Sequence, residues 1–482
     1  KTDNFIANNP FKEIQENIHI NLQIYNQKRI LFLINEWQED LQMTGGTSLH
    51  LRDIISKIKE NMACFVLAPN KFDLSTFELY LYTKEYSRKI YSFRTTIRDY
   101  GQTVFTDNSY KEMLEKLFKA YQFDIVHVQH LLFHSFDIAQ VAEKYNTYKI
   151  ISLHDLYMMC PSINMVYEEK YCETNKNRNC EKCLQNRYGI SHNIIRKWRE
   201  ECEKVLKKFD KIIAPSQNTK KLFEEIYKDL KIDVIEHGSN IIKIEDKKRE
   251  ENSIFKIAFV GVMVPHKGSK ILKEMIKKNN KFEIHLFGKA EDKFLQQNHD
   301  KYIYHGEYKR EELPKMLVEN NIDLVCIFST VPETHSYTLS EAFMAKVPVL
   351  AFNIGAVEER INKNKLGWTI DINSNTEEIL EKIEEIHNDK AKYNKIRKNF
   401  KDYQLKSLED MQNEYAEIYS TIPMKDKKVA NTYELIKYQK ENVAYQYQIY
   451  TNTYGHIVHR YEMLRATKLW KVAKKIKAKL KK

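Results

Sequence analysis

Two carboxylates, Glu333 and Glu341, lie eight residues apart in a segment with the pattern of a loop that enters a helix. Apolar, strand-like runs flank the segment at 322–328 and 347–352. A helix rises about 1.5 Å per residue, so this spacing can separate the carboxylates by roughly 10 Å. The helix N-terminus between them would face an anion. The pattern predicts an elongated ligand with a hydroxyl-rich group at each end and an anion between them, which is the layout of a nucleotide-diphospho-sugar.

The start of this helix also fits a purely structural role. Thr338-Leu339-Ser340-Glu341 matches a capping box, in which Glu341 would accept a hydrogen bond from an otherwise unpaired backbone N–H. Spacing alone leaves both interpretations open, and the neighbouring motifs favour the first.

A glycine-bounded turn at 261–268 (GVMVPHKG) follows the strand-like run 255–261. A strand, such a turn and a helix form an arrangement that binds phosphate through backbone N–H groups. Lys267 would then neutralise a diphosphate leaving group, although an ordinary turn with a solvated lysine also fits. Gly45 and Gly46 occupy the matching position in the first half of the chain, where backbone without side chains can approach a ligand closely.

Three histidines, His130, His154 and His237, each follow a predicted strand. A single histidine in such a loop is more often structural, but three at one sheet edge indicate a site. Asp155, next to His154, could fix the tautomer of a neighbouring imidazole.

These residues require parallel strands that end at common edges. Apolar runs alternate with helical patterns on both sides of a charged linker at 243–253, which predicts two doubly wound α/β halves with parallel sheets. Ligands of such sheets bind beyond the carboxyl ends of the strands, here in a cleft between the halves. The predicted strands are 29–35, 63–68, 124–128, 149–153 and 211–214 in the first half, and 255–261, 282–288, 302–306, 322–328 and 347–352 in the second. The predicted domains are a lead-in 1–28, a first α/β domain 29–242 with an insertion 160–190, a second α/β domain 254–422, and a helical tail 428–482.

The chain of 482 residues suits two or three domains, and 42% hydrophobic residues suffice for sizeable cores. No apolar run reaches the length of a transmembrane helix. The net charge of +12 is concentrated at the end of the chain, because 460–482 contains ten Lys or Arg and one acid. The nearly balanced remainder does not predict nucleic-acid binding.

The basic tail has one apolar helical face, formed by Leu469, Val472, Ala473, Ile476 and Leu480. Lysines fill the opposite face, which predicts that residues 464–482 bind an anionic membrane surface. A solvated tail and a nucleic-acid contact are the alternatives. The resulting expectation is a cytoplasmic protein held peripherally at the inner face of the plasma membrane.

Seven cysteines, an odd number and mostly scattered, favour a reducing compartment. Cys160, Cys172, Cys180 and Cys183 lie in the insertion, and the last two have the spacing of a metal knuckle. Either a structural zinc or iron–sulfur site or four unpaired thiols fits this pattern, and the irregular spacing favours the thiols.

Taken together, these motifs resemble the retaining GT-B glycosyltransferases of the glycosyltransferase-4 type, over roughly residues 29–415. The most specific piece is the Glu333 to Glu341 segment with the following 342–349 (AFMAKVPV) and Gly355-Ala356. The resemblance implies the GT-B fold, with two Rossmann-like domains facing a central cleft.

The resemblance also implies roles for the charged residues. Glu333 would contact the hydroxyls of the donor sugar, Glu341 would hold the ribose, and Lys267, beside Gly268, would hold the diphosphate. Members of the family often have an arginine where this chain has Val262, which would leave more of the neutralisation to Lys267.

The remaining implied contacts come from both halves. Backbone groups near His335 and Ser336 would line the sugar and phosphates, and the loop at Gly45 and Gly46 would face the diphosphate. His154 would lie near the transferred sugar, with His130 and His237 as further sugar or acceptor contacts. A glycine is common in the family where Lys346 stands.

The implied reaction needs no enzyme nucleophile, because the leaving diphosphate helps to accept the acceptor proton during front-side attack. The chain contains no Asp-x-Asp pair, which fits transfer without a metal or other cofactor. The expected function is transfer of a sugar from a nucleotide-diphospho-sugar to a polysaccharide, glycan or lipid-linked acceptor. A non-catalytic scaffold in a surface-glycan assembly complex and a nucleotide-sugar epimerase are the alternatives.

Overall fold

The computed structural model describes residues 23–38, 45–95, 105–168, 170–172, 180–188, 194–244, 254–426, 432–439 and 441. Most of the predicted lead-in 1–28 and the whole of the predicted basic helix 464–482 lie outside these residues. No helix in the described part of the chain is both long and apolar enough to cross a bilayer.

The first sheet has eight strands in the order β10-β9-β6-β5-β1-β2-β3-β4. Its strands are β1 (Lys28–Leu33), β2 (Met62–Asn70), β3 (Asp73–Tyr82), β4 (Ser87–Arg94), β5 (Ile125–Val128), β6 (Tyr148–Ser152), β9 (Lys211–Ala214) and β10 (Ile232–Val234), and β7 (Val166–Tyr167) with β8 (Lys170–Tyr171) forms a separate hairpin. The helices of this half are α1 (Gly46–Ile58), α2 (Asn108–Tyr121), α3 (Asp137–Lys144), α4 (Cys180–Tyr188), α5 (Ile194–Leu206) and α6 (Gln217–Ile226).

The expectation of a purely parallel first sheet is wrong at one edge. β3 pairs with β2, and β4 with β3, in antiparallel register. The turn before β3 is fixed by Asn70, whose side-chain oxygen accepts hydrogen bonds from the backbone N–H groups of Phe72 and Asp73. Such an Asx turn closes a hairpin, which a βα alternation does not include.

The second sheet has six parallel strands in the order β13-β12-β11-β14-β15-β16. Its strands are β11 (Lys256–Val260), β12 (Glu283–Phe287), β13 (Tyr302–Gly306), β14 (Leu324–Ile327), β15 (Val349–Phe352) and β16 (Gly367–Ile370). Its helices are a 3-10 turn (Pro265–Lys267), α7 (Ser269–Lys278), α8 (Leu313–Glu319), α9 (Tyr337–Met344), α10 (Gly355–Asn364), α11 (Thr376–Asn388) and α12 (Lys390–Asn399), and α13 (Leu408–Thr421) follows.

Helices cover both faces of each sheet, so the central strands are apolar on both sides. In β1, Leu31 and Leu33 pack into the core on one face, whereas Ile30 and Phe32 pack into the core on the other. This division follows from the two-residue period of a strand.

Helix α13 crosses back to the first sheet, although the predicted domain range groups it with the second half. Its residues Met411, Tyr415 and Tyr419 are buried in the same cluster as Ile30 and Phe32. The carboxyl ends of the strands of both sheets face one cleft, which loops of both halves line.

Candidate functional site

The cleft between the two sheets contains a cavity of about 380 Å³. Seven residues predicted from the sequence line it, namely Gly46, His154, His237, Lys267, Glu333, His335 and Ser336. Further residues, to which the sequence assigned no ligand contact, also line it, among them Thr47, Asn164, His266, Thr334, Tyr337 and Thr338. The cavity therefore joins loops from both halves, as the strand ends predict.

A half-buried ion pair lies in this cavity. Lys267 Nζ donates a hydrogen bond to Glu333 Oε1 at 2.5 Å. Burial by itself would raise the pKa of Glu333, but the Lys267 ammonium and hydrogen bonds from Ser336 and Ser329 outweigh it, so the pKa is lowered. Glu333 is thus an anion that is already paired with the cation predicted to bind diphosphate.

Gly268 fixes the position of Lys267 at the end of the 3-10 turn. Its φ is +86°, and a Cβ atom there would lie 2.8 Å from the carbonyl oxygen of Phe328. Only glycine meets both conditions without strain. Gly268 does not line the cavity, and its role is to bring the turn against the neighbouring strand.

The imidazoles of His50, His154, His237 and His335 form a histidine cluster that spans the two halves, in which His154 is half-buried and the other three are buried. The ring centroids of His50 and His237 are 4.1 Å apart, those of His237 and His335 4.7 Å, and those of His50 and His154 4.9 Å. Burial lowers the pKa of every member, so the cluster is neutral. Both ring nitrogens of His50 and of His335 have no hydrogen-bond partner in the described part of the chain.

His154 lies at the point where the two halves touch. Its carbonyl oxygen accepts a hydrogen bond from Thr334 Oγ1 at 2.6 Å, and its Nε2 lies 2.9 Å from Gln129 Oε1. Asp155 does lie beside an imidazole, but it is that of His130 and not that of His154, because its Oδ2 is 2.6 Å from Nε2 of His130. His130 is a partner of Asp155 and does not line the cavity.

Glu341 lies in a second, smaller cavity of about 110 Å³. Its Oε1 is 3.4 Å from Nε of Arg310, and Arg310 Nη1 is 3.8 Å from Oδ2 of Asp53 on α1. Burial raises the pKa of Glu341 to about 8, although Arg310 acts in the opposite direction. The guanidinium of Arg310 also lies 4.0 Å from the ring centroid of Tyr337, which separates the two cavities.

The capping-box interpretation of Glu341 is wrong. Helix α9 begins at Tyr337 with Ser336 as its N-cap, two residues earlier than a box at Thr338 requires, and no side chain caps it. The carboxylate of Glu341 contacts Arg310 instead of a backbone N–H.

The paired glycines differ in their surroundings. Helix α1 begins at Gly46, and a Cβ atom on Gly46 would lie 3.5 Å from Cε2 of Tyr337 across the cleft. Gly45 is the N-cap, and a Cβ atom on it would meet no atom of the described residues within 4 Å. The N-terminus of α1 therefore faces the start of α9, and two helix N-termini converge on one region of the cleft.

The zinc or iron–sulfur alternative for the four cysteines of the insertion finds no support in the described residues. In the described ranges, no group of three or more His, Cys, Asp or Glu side chains is placed to hold a metal ion. No disulfide joins these four cysteines in the described residues, and Cys160 Sγ lies 3.2 Å from Ser162 Oγ.

Two facing α/β domains with their strand ends directed at one cleft define the class of GT-B glycosyltransferases. Family models agree: "Glycosyltransferase Family 4" matches residues 44–241, and "Glycosyl transferases group 1" matches residues 240–403. The chain belongs to the glycosyltransferases of the family 4 type. No curated protein sequence matches it significantly.

Solved structures share the fold at low sequence identity. The Anabaena protein HepE in complex with UDP has a TM-score of 0.53 and 16% identity, and the alignment covers 82% of this chain and all of HepE. Sucrose-phosphate synthase from Thermosynechococcus elongatus has a TM-score of 0.56 and 13% identity, with 82% of this chain and 99% of the synthase covered. The lipopolysaccharide outer core galactosyltransferase WaaB has a TM-score of 0.52 and 13% identity over the same shares.

Proposed function

We propose that the chain is a retaining glycosyltransferase that moves a sugar from a nucleotide-diphospho-sugar to a polysaccharide, glycan or lipid-linked acceptor, without a metal ion. The observation that carries this proposal is the Lys267–Glu333 pair in the cleft, with Glu341 beyond it in the second cavity. Glu333, Lys267 and Glu341 are the groups expected to bind the sugar, the diphosphate and the ribose of such a donor. UDP and UDP-glucose are bound by HepE, which shares the fold.

The chemistry follows from charge. As the bond between the anomeric carbon and the diphosphate oxygen breaks, negative charge develops on the diphosphate. Lys267 and the N-termini of α1 and α9 stabilise that charge. The acceptor hydroxyl oxygen bonds to the same face of the anomeric carbon, and its proton passes to the leaving diphosphate oxygen. Glu333, released from Lys267, would accept hydrogen bonds from the sugar hydroxyls.

Donor transfer or hydrolysis by the purified chain across a panel of nucleotide sugars tests this function. We expect turnover with at least one donor, product of retained anomeric configuration by NMR, and no loss after treatment with a chelator. Glu333→Ala should lower kcat/KM by about 10² or more, whereas the matched exposed variant Glu319→Ala should not. Unchanged turnover in Glu333→Ala would refute the site, and no turnover with any donor would favour the scaffold alternative.

The acceptor and the location are part of the same proposal. A lipid-linked or membrane-proximal acceptor would explain a basic amphipathic segment at 464–482, which would hold the enzyme at the inner face of the plasma membrane. Truncation before Leu464 should abolish co-sedimentation with vesicles of anionic lipid and leave turnover of a soluble acceptor intact. Continued binding of the truncated chain to those vesicles would refute the anchor.

A further inference from the structure

We propose that Arg360 is a positioning residue of the donor site, which holds the backbone of Ser336 in a conformation that directs two N–H groups away from the protein core towards the donor. The inference rests on the proposed function and extends it to a residue that does not line the cavity.

The guanidinium of Arg360 binds the loop before α9 at two points and α9 itself at a third. Nη1 donates to the carbonyl oxygens of His335 at 3.0 Å and of Ser336 at 3.1 Å, and Nη2 donates to Ser340 Oγ at 2.8 Å. Arg360 lies on α10 and is only 5% exposed. A buried guanidinium is stable only when its donors are satisfied, so this loop and Arg360 stabilise each other.

Ser336 needs such a restraint. Its φ is 71° and its ψ is 98°, a region that side-chain-bearing residues rarely adopt. A residue of this kind keeps such a conformation only where its surroundings impose it. Two hydrogen bonds from one rigid guanidinium to consecutive carbonyls supply that constraint.

The orientation of the two carbonyl groups determines the orientation of the backbone N–H groups that follow them. In a trans peptide the N–H points opposite to the C=O. Because the carbonyls of His335 and Ser336 point to Arg360, the N–H groups of Ser336 and Tyr337 point away from it, and both residues line the cavity beside Lys267. Successive N–H groups of this kind form an anion-binding concavity. Arg360 thereby sets the diphosphate-facing surface without contacting the donor.

The decisive experiment measures how much Arg360→Met weakens UDP binding in two backgrounds, wild type and Ser336→Gly. In the wild-type background we expect UDP binding, measured by calorimetry, to weaken by on the order of tenfold, and kcat/KM to fall at least as much. In a Ser336→Gly background, Arg360→Met should weaken UDP binding by a several-fold smaller factor, because glycine adopts positive φ without an external restraint. Arg360→Lys should give an intermediate loss, since an ammonium lacks the planar fork.

Arg29→Met is the matched control. Arg29 is a fully buried arginine of the first half that donates to the carbonyl oxygen of Tyr121. Its loss should lower the melting temperature, and Ser336→Gly should not relieve any effect on UDP binding. Circular dichroism establishes that each compared variant is folded.

The outcomes are distinguishable. If Arg360→Met costs the same factor in both backgrounds, or leaves UDP binding unchanged, the positioning role is overturned while the proposed function stands. If the wild-type chain binds no nucleoside diphosphate, both proposals are overturned.

Discussion

The ammonium of Lys267 lies 2.5 Å from the carboxylate of Glu333, although 66 positions separate them in the chain. The two groups expected to bind different parts of the donor therefore neutralise each other when no donor is bound. In the proposed mechanism, a diphosphate that enters the cleft would compete with Glu333 for Lys267. That exchange would free the carboxylate for the sugar while the phosphate is held.

Lys267→Met should lower kcat in addition to weakening donor binding. The ammonium stabilises charge that develops as the diphosphate leaves, so we expect kcat to fall by on the order of 10². Lys293→Met, which removes an exposed lysine outside both cavities, is the control. Steady-state kinetics with the preferred donor measure both, and a kcat of Lys267→Met within twofold of wild type would contradict the role.

Donor binding should tighten as the pH rises towards and through 8. The pKa of Glu341 is raised from 4.5 to about 8 by burial, so the free chain holds this group protonated near neutral pH. A ribose that donates two hydroxyl hydrogen bonds prefers the carboxylate, and binding should then release a proton. We expect the affinity for UDP-glucose to rise by up to about tenfold per pH unit below the pKa.

Glu341→Gln should remove that pH dependence. A carboxyl whose pKa is higher in the folded than in the unfolded chain destabilises the fold when it ionises, so the stability of the wild type should fall as the pH rises from about 4.5 to about 8. The glutamine variant should melt higher than wild type at pH 9 and show no such gain at pH 5. Identical pH profiles of the two proteins would contradict the assignment.

Arg310→Met should shift the same titration to higher pH. Arg310 opposes the effect of burial on Glu341, and its removal leaves burial alone to raise the pKa. We expect the midpoint of the pH dependence of donor binding to rise by about one pH unit. Arg310 also contacts Asp53 of the first half, and Asp53→Asn is the control that removes this contact but keeps the cation beside Glu341.

Lys28→Met should destabilise the chain without affecting the donor site. Lys28 Nζ donates to the carbonyl oxygens of Tyr419, Ser420 and Ile422 at 2.6, 3.0 and 2.5 Å, and so binds the end of α13 to the first sheet. Loss of these bonds leaves buried carbonyls unpaired, which should cost about 2 kcal/mol of unfolding free energy. Chemical denaturation measures this, and the exposed variant Lys231→Met should show no comparable loss.

Local patterns predicted most of the sheet elements. β9 and β13 have the predicted bounds, and the other predicted strands agree within a few residues, because apolar runs between helical patterns are a local signal. The hairpin of β3 and β4 was missed even though Phe77, Leu79 and Leu81 alternate with less buried residues. Two-residue alternation along Asp73–Tyr82 is the signal that could have identified it.

The positively charged residues of the site were harder to find. Arg310 and Arg360 belong to no motif, and each functions through partners far away in the chain or on another element. Likewise, nothing local marks His50 as a member of the histidine cluster, because its neighbours in the cluster come from three other loops. Only packing brings such groups within contact distance.

The sequence by itself determined the alternation of strands and helices, the loops at the strand ends and the residues in those loops that could bind a nucleotide sugar. These properties depend on side-chain periodicity and on glycines and charges at fixed offsets, which are local. The tertiary structure decided that Lys267 is paired with Glu333, that Glu341 lies beside Arg310 in a separate cavity, and that Asp155 binds His130. Those outcomes depend on how two domains pack and how deeply each group is buried, and burial sets both the partner and the pKa.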